Sequence, residues 1–326
     1  PDQARQIFGD KPFELKNIIK LWVRNEVTPE QRKIMQLLTG DESGNIHVIP
    51  TDTVFMTIDK NAVKKSGMMM ASDTIPDHMT ISLQGKSALY KGDLMMLEMI
   101  SQCNWTRPIY VALTVGSENY MNLGDNFVQE GLANRITPFT TNKPGAKNFD
   151  TKRAYDNLMH RFKFGGLSTR GLYIDETVMR MCYTHRRIFI QLALNLLNEG
   201  KKQQAAQVLA KVDKEIPEYN VPVDFSSGSL DEARVYAALG NKAKASALAG
   251  KLWTKSTQYV NWYLSLDGSR FSSAQSDCMY QFYIMQQIAQ ISNDIVPGSG
   301  QQRMRQLEML ADQYRAKGGT FGQQGQ

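Results

Sequence analysis

The chain has 326 residues, 42% hydrophobic and 21% charged, long enough for two domains with a core each and too apolar for wholesale disorder. Its formal charge of +6 is diffuse, carried by pairs such as Lys64-Lys65, Arg186-Arg187 and Lys201-Lys202 among acidic residues. The basic stripe with interleaved aromatics that marks a nucleic-acid binder is therefore missing.

Cys103, Cys182 and Cys278 are odd in number and far apart, which excludes a disulfide framework and a zinc spacing and reads as buried thiols. No apolar run approaches the roughly 18 residues of a membrane span. The opening "PDQARQIFGDKPFELK" lacks a basic-then-apolar signal pattern and reads as the edge of a fragment.

Taken in chain order, Phe13, Ile18, Leu21 and Trp22, then Ile34, Leu37 and Leu38, recur at helical spacing. Thr28 caps the second helix and Pro29 stands in its first turn. "NIHVIP", "TVFMTID" and "HMTISL" are short, β-branched and bounded by turn residues, which predicts strands. "AVKKSGMMM" fits neither template. "KGDLMMLEMISQC" is helical, with Leu94, Leu97, Met99 and Ile100 toward a core. "RPIYVALTV" then reads as a central strand covered on both faces, with Trp105 and Tyr110 packed and Arg107 paired near its start. Strand, helix, strand in this order predicts a right-handed parallel crossover. Residues 1–145 form a small mixed α/β domain on this reading, and "TTNKPGAKN" is the linker.

From Thr151 the pattern is helical to residue 326, so the fold class is α+β or α/β with a small mixed domain followed by an all-helical repeat domain. "QLALNLLNEGKKQQAAQVLAKVDKEIP" and "DEARVYAALGNKAKASALAGKLW" repeat one helix–turn–helix form, with turns at Gly200 and Gly240. Ala193, Ala205, Ala233 and Ala245 fall where tetratricopeptide helices touch, because only small residues let the backbones approach. The two glycines stand wider apart than the usual period of about 34 residues, so "EYNVPVDFSSGS" reads as an insertion. "MYQFYIMQQIAQISND" and "QQRMRQLEMLADQYRAKG" predict a third helix pair without the consensus, and "GGTFGQQGQ" a flexible tail.

Motifs with chemistry are sparse. Gly116-Ser117 follows a strand, yet "VGSENY" has one glycine and no lysine, so neither phosphate-binding fingerprint is met. "NWT" at Asn104 has the form of a glycosylation sequon and reads better as a turn. Cys182 and His185 lack a third converging ligand. Asp73, Asp77 and His78 read as turn chemistry beside a proline. No nucleophile elbow, HExxH or CxxC occurs, and neither a catalytic residue, a cofactor nor a metal is expected.

The ordered set "GKSALYKGDLMMLEMISQCNWTRPIYVALTVGSENY", "VQEGLANRITP", "FDTKRAYDNLMHRFKFGGL", "YIDETVMRMCYTHRRIFIQLALNLLNEGKKQQAAQVL" and "YNVPVDF" resembles the soluble C-terminal region of a family of bacterial multi-pass membrane proteins. They are GT-C-type glycosyltransferases related to protein O-mannosyltransferases with tetratricopeptide tails. The resemblance runs from about Val54 to Leu252. It implies a membrane part outside this sequence that would hold the catalytic acid and bind a lipid-linked sugar, and a position for this region on the periplasmic face of the inner membrane. Its function would be non-catalytic, binding acceptor protein or a partner, the membrane-embedded part included. The expected binding residues are Tyr219, Phe225 and Tyr236. The alternative is an independent soluble enzyme or ligand-binding protein with a site near Gly116, at Ser117 and Asn119.

Overall fold

The computed structural model describes residues 13–20, 24, 26, 28–43, 49, 51–70, 73–142 and 147–321. The expected strand "NIHVIP", apart from Ile49, lies outside them. So do Leu21, Trp22, the middle of "TTNKPGAKN" and residues 322–326 of the tail. The chain divides into two compact units, Pro1–Ala154 and Tyr155–Gln326.

The first unit is mixed. Helix α1 is short (Leu15–Ile18), and α2 (Pro29–Thr39) starts at its proline, with the Arg32 amide donating to Thr28 at 2.9 Å. Strands β1 (Thr53–Thr57) and β2 (His78–Ser82) pair antiparallel, from Thr53 opposite Ser82 to Thr57 opposite His78. Their period-two pattern buries Val54, Met56, Met79 and Ile81 on one face. Between them runs α3 (Lys60–Ser66), capped by the Asp59 carboxylate and ended by Gly67 in the left-handed region at φ +66°. "AVKKSGMMM" is therefore the end of a helix and its exit. Helix α4 (Lys91–Cys103) lays Leu97 and Ile100 into the same core. Met99, expected inside, is 53% exposed.

The expected parallel crossover is absent from the described residues. The run "RPIYVALTV" gives only β3 (Tyr110–Ala112), at the edge of an antiparallel sheet of order β3-β5-β4 with β4 (Phe127–Gln129) and β5 (Ala133–Ile136). Only Val111 of the three is buried; Tyr110 and Ala112 face outward. An uninterrupted apolar run measures hydrophobicity, and hydrophobicity alone does not say which strand pairs with it. The ladder stops where the Val115 amide turns back to Ala112 at 3.1 Å. Tyr110 tolerates its edge position because its hydroxyl donates to Glu130 at 2.6 Å. Trp105 is buried as expected, whereas Arg107 is exposed and its carbonyl accepts from the Cys103 thiol.

A polar node ties this sheet to α3. Glu130 lies 3.5 Å from Arg135 and 3.6 Å from Arg153. Arg135 also donates to the Ser66 carbonyl at 3.3 Å and Arg153 to that of Gly67 at 2.6 Å. The nearly buried Glu130 carboxylate and Arg135 guanidinium thus offset one another's charge, although the Arg135 Nε keeps no hydrogen-bond partner.

The second unit is helical. The unit boundary falls within α5 (Thr151–Asp156), which continues into a wide turn over Asn157–Arg161. The stretch 162–175, expected to be helical, is an irregular connection. Then α6 (Glu176–Asn198) and α7 (Lys202–Glu215) form one hairpin, and α8 (Ser229–Ala238) and α9 (Lys242–Ser265) another. Both turn glycines are left-handed, Gly200 at φ +75° and Gly240 at φ +85°. Each is followed by an amide reaching back five residues, Lys201 to Leu196 and Asn241 to Tyr236, which closes the helix end. Ala193, Ala205, Ala233 and Ala245 have no exposed surface, as a close helix contact requires. Helix α6 also packs on α8, and α9 packs on α11 (Gln275–Ile295) beyond the short α10 (Gly268–Ser273). A third hairpin of α11 and α12 (Ser299–Ala316) closes the array.

Candidate functional site: a groove beside the inserted loop

The inserted segment 218–229 makes up most of the connection from α7 to α8 and ends at the first residue of α8; a buried arginine and two ion pairs hold its shape. Arg186 on α6 is 3% exposed. Its guanidinium donates to the carbonyls of Ile216 and Val221 at 2.7 Å each and to that of Pro222 at 3.1 Å. Lys251 pairs with Glu218 at 2.6 Å, and Lys255 pairs with Asp224. Burial raises the Asp224 carboxyl, but hydrogen bonds from Lys255 and Ser226 outweigh it and leave the pKa below its usual value.

Fastened this way, Pro222 and Val223 form one wall of a groove of about 1030 Å³. Helix α9 supplies the rest of the lining: Ala247, Gly250, Lys251, Thr254, Lys255, Gln258, Tyr259 and Trp262. The two aromatics are 42% and 55% exposed. Tyr259 stacks on Tyr263 at 6.4 Å, and Trp262 lies 4.9 Å from the same ring, so both are braced from one side. Gly250 sits in a helix interior, where glycine costs about 0.5–1 kcal/mol relative to alanine. A methyl group there would meet nothing within 4 Å. Packing does not require this glycine.

The expected binding residues fall in three places. Tyr219 and Phe225 flank the groove wall in sequence. Tyr219 donates its hydroxyl to the Ser168 carbonyl, with Arg170 over its ring at 4.2 Å. Phe225 meets Tyr280 and Tyr283 edge-on at 6.2 and 6.1 Å. Tyr236 is 7% exposed; its hydroxyl donates to Asp213 at 2.7 Å and accepts from Lys244 at 2.8 Å. Burial and the Asp213 hydrogen bond push its pKa up. Ser117 and Asn119 belong to the first unit, in a tight turn after Gly116. The Glu118 carboxylate lies against Gly116, where an added methyl group would clash with it, and it accepts from Asn119 at 3.1 Å. A carboxylate in that position repels the anion that a glycine-flanked strand end would otherwise favour.

Sequence reasoning found the loop and missed the helical wall. The available signal was in "STQYVNWYL": Val260 is buried, while Tyr259 and Trp262 stand off the apolar stripe. Large aromatics on the polar side of an amphipathic helix have no core to fill.

The other motifs resolve into local structure. Asn104 ends α4 in the left-handed region and bonds the Thr57 carbonyl and the Asp59 amide, each at 3.1 Å. The Asp73 carboxylate accepts from the Met70 amide, and Asp77 pairs with Lys60. His185 packs on Phe162, and burial lowers its pKa. Among the described residues no three His, Cys, Asp or Glu side chains converge as metal ligands, and no helix is long and apolar enough to cross a membrane.

Residues 3–153 match the family model described as TMEM260-associated domain 2, a span that follows the first unit almost from end to end. No curated protein and no solved structure matches the chain.

Proposed function

We propose that the chain is a non-catalytic, extracytoplasmic domain of a membrane protein O-glycosyltransferase-like protein, and that its helical unit binds the acceptor protein. The match over residues 3–153 supports the first part, since it associates the first unit with TMEM260, a glycosyltransferase-like membrane protein. The groove supports the second: loop residues and one stretch of α9 line it together, and its two braced, half-exposed aromatics suit it to an extended chain. Aromatic anchors of this kind supply the largest share of binding energy at protein interfaces. Chemistry on a lipid-linked sugar would belong to the membrane-embedded part, and the domain would stand on the periplasmic side of the inner membrane. At the Gly116 strand end the Glu118 carboxylate lies against the glycine, which weighs against an anionic ligand there.

Two measurements test this reading. The purified chain, given a lipid-linked sugar and acceptor protein, is expected to yield no product. In cells, the full-length protein carrying Tyr259→Ala and Trp262→Ala together is expected to leave acceptor sites under-glycosylated at unchanged protein abundance. Turnover by the purified chain that survives repurification contradicts the first part. Unchanged glycan occupancy in the double variant contradicts the second.

A further inference from the structure

We propose that Arg186 and Glu232 form a pH-operated latch on the inserted segment. With Glu232 protonated, the Arg186 guanidinium stays on the loop carbonyls. With Glu232 ionised, the guanidinium turns to the carboxylate and the loop is released. The device is independent of what the groove binds.

A cluster of buried groups carries this. Arg186 on α6 and Glu232 on α8 are 3% and 4% exposed, and the two helices pack together. The terminal nitrogens of Arg186 hold Ile216, Val221 and Pro222, while its Nε is buried without a partner. Glu232 is the matching case: among the described residues, no hydrogen bond or close ion pair reaches its carboxylate. A donor and an acceptor thus stand unpaired in one interior, where an unmade bond is costly. Each also exerts the strongest charge effect on the other.

The neighbours leave Arg186 as the only cation free to answer an ionised Glu232. The other strong charges on Glu232 are Asp213 of α7, Lys244 of α9 and Glu218 of the inserted segment. Lys244 is paired with Asp213, and Glu218 with Lys251. Tyr236, one turn along α8, donates to Asp213. Helix α11 also packs on α8, but its Asp277, Cys278, Tyr280, Tyr283 and Asp294 are not among the strongest charges on Glu232.

The direction of the response follows. While Arg186 serves the loop, burial keeps Glu232 protonated up to about pH 7. In the released arrangement the carboxylate gains the guanidinium and ionises more readily. The released state therefore binds fewer protons. The latch holds at low pH, weakens as pH rises to about 7, and levels off above it.

The test is nuclear magnetic resonance and hydrogen exchange of the purified chain from about pH 5 to 8, in wild type and in the isosteric, neutral Glu232→Gln. The carbonyl carbons of Ile216 and Val221 and the Arg186 Nε–H report the latch itself. The Asn220 and Val221 amides, both bonded to the Pro217 carbonyl, report the loop through protection corrected for intrinsic exchange. In wild type the latch signals are expected to follow the titration of the Glu232 carboxyl carbon. Protection of both amides should fall by about tenfold or more, the equivalent of one pKa unit. In Glu232→Gln all of them should keep the low-pH values throughout. A Glu232 that titrates while the carbonyl carbons and the Nε–H hold still would overturn the proposal. So would a Glu232 that does not titrate in this range, or protection that falls equally in Glu232→Gln. Protection lost to the same extent at the Lys201 amide of the first hairpin, without shifts of the latch signals, would also overturn it, as a general loosening of the unit.

Discussion

Arg186 is the residue on which the groove's loop wall depends. Its two terminal nitrogens donate to three carbonyls of the segment from Ile216 to Pro222, while its Nε stays buried without a partner. Burial pulls its pKa down, and the Glu232 carboxylate opposes that. Arg186→Ala would leave those carbonyls unpaired inside the protein and is expected to cost roughly 3–5 kcal/mol, the range for breaking a buried charged network. Denaturant unfolding checks it, and a loss below about 1 kcal/mol would mean that the loop is held by other contacts.

Glu232 is the second informative residue at this scale. Burial pushes its pKa up to about 7, although the Arg186 charge works against the rise. Because the folded value lies above the unfolded one, the native state holds the extra proton between about pH 4.5 and 7. Stability linked to this group is therefore highest below the lower value, falls as pH rises, and levels off above 7. Glu232→Gln, which imitates the protonated form, should lack that fall. Melts of the two proteins from pH 5 to 8 should diverge by up to ~3 kcal/mol, at about 1.4 kcal/mol per pKa unit. Parallel curves would contradict the burial of an ionisable carboxylate.

At the scale of elements, the close helix contacts make sharp demands. Ala205→Leu puts three extra carbons into a site with no exposed surface and should cost about 1–3 kcal/mol by overpacking. Gly300 on α12 is stricter, since a methyl group would stand 2.6 Å from the Ala289 carbonyl oxygen on α11. Gly300→Ala should thus destabilise despite alanine's better helix propensity. Gly250→Ala should do the reverse, raising stability by about 0.5–1 kcal/mol. Thermal melts that rank the two alanine variants alike would contradict the difference in their surroundings.

What could be read in the sequence follows from what these elements need. Left-handed turns need glycine, and close helices need alanine, so Gly200, Gly240 and the four alanines announced the hairpins. Short β-branched runs bounded by turn residues announced β1 and β2. Strand pairing leaves no such mark: "RPIYVALTV" carried hydrophobicity without a partner, and it became a three-residue edge strand. Arg186 sits in what reads as a surface basic pair, because burial of a charge depends on carbonyls supplied about 30 residues later. The groove was half legible, with its loop marked by turn formers and its helical wall hidden inside a long amphipathic helix.

For the whole molecule, the two units divide the proposed labour. The first carries the likeness to TMEM260-associated domain 2, and the second carries the groove. A docking domain acts through binding, so its loss should weaken capture of the acceptor and leave the chemical step alone. The most direct measurement is steady-state kinetics of the full-length protein in proteoliposomes with lipid-linked sugar and protein acceptor. Wild type is compared with the Tyr259→Ala, Trp262→Ala double variant. The expected result is a KM for acceptor raised about tenfold or more, with kcat unchanged. An unchanged KM, or a fall in kcat at constant KM, would contradict a groove that binds the acceptor without taking part in catalysis.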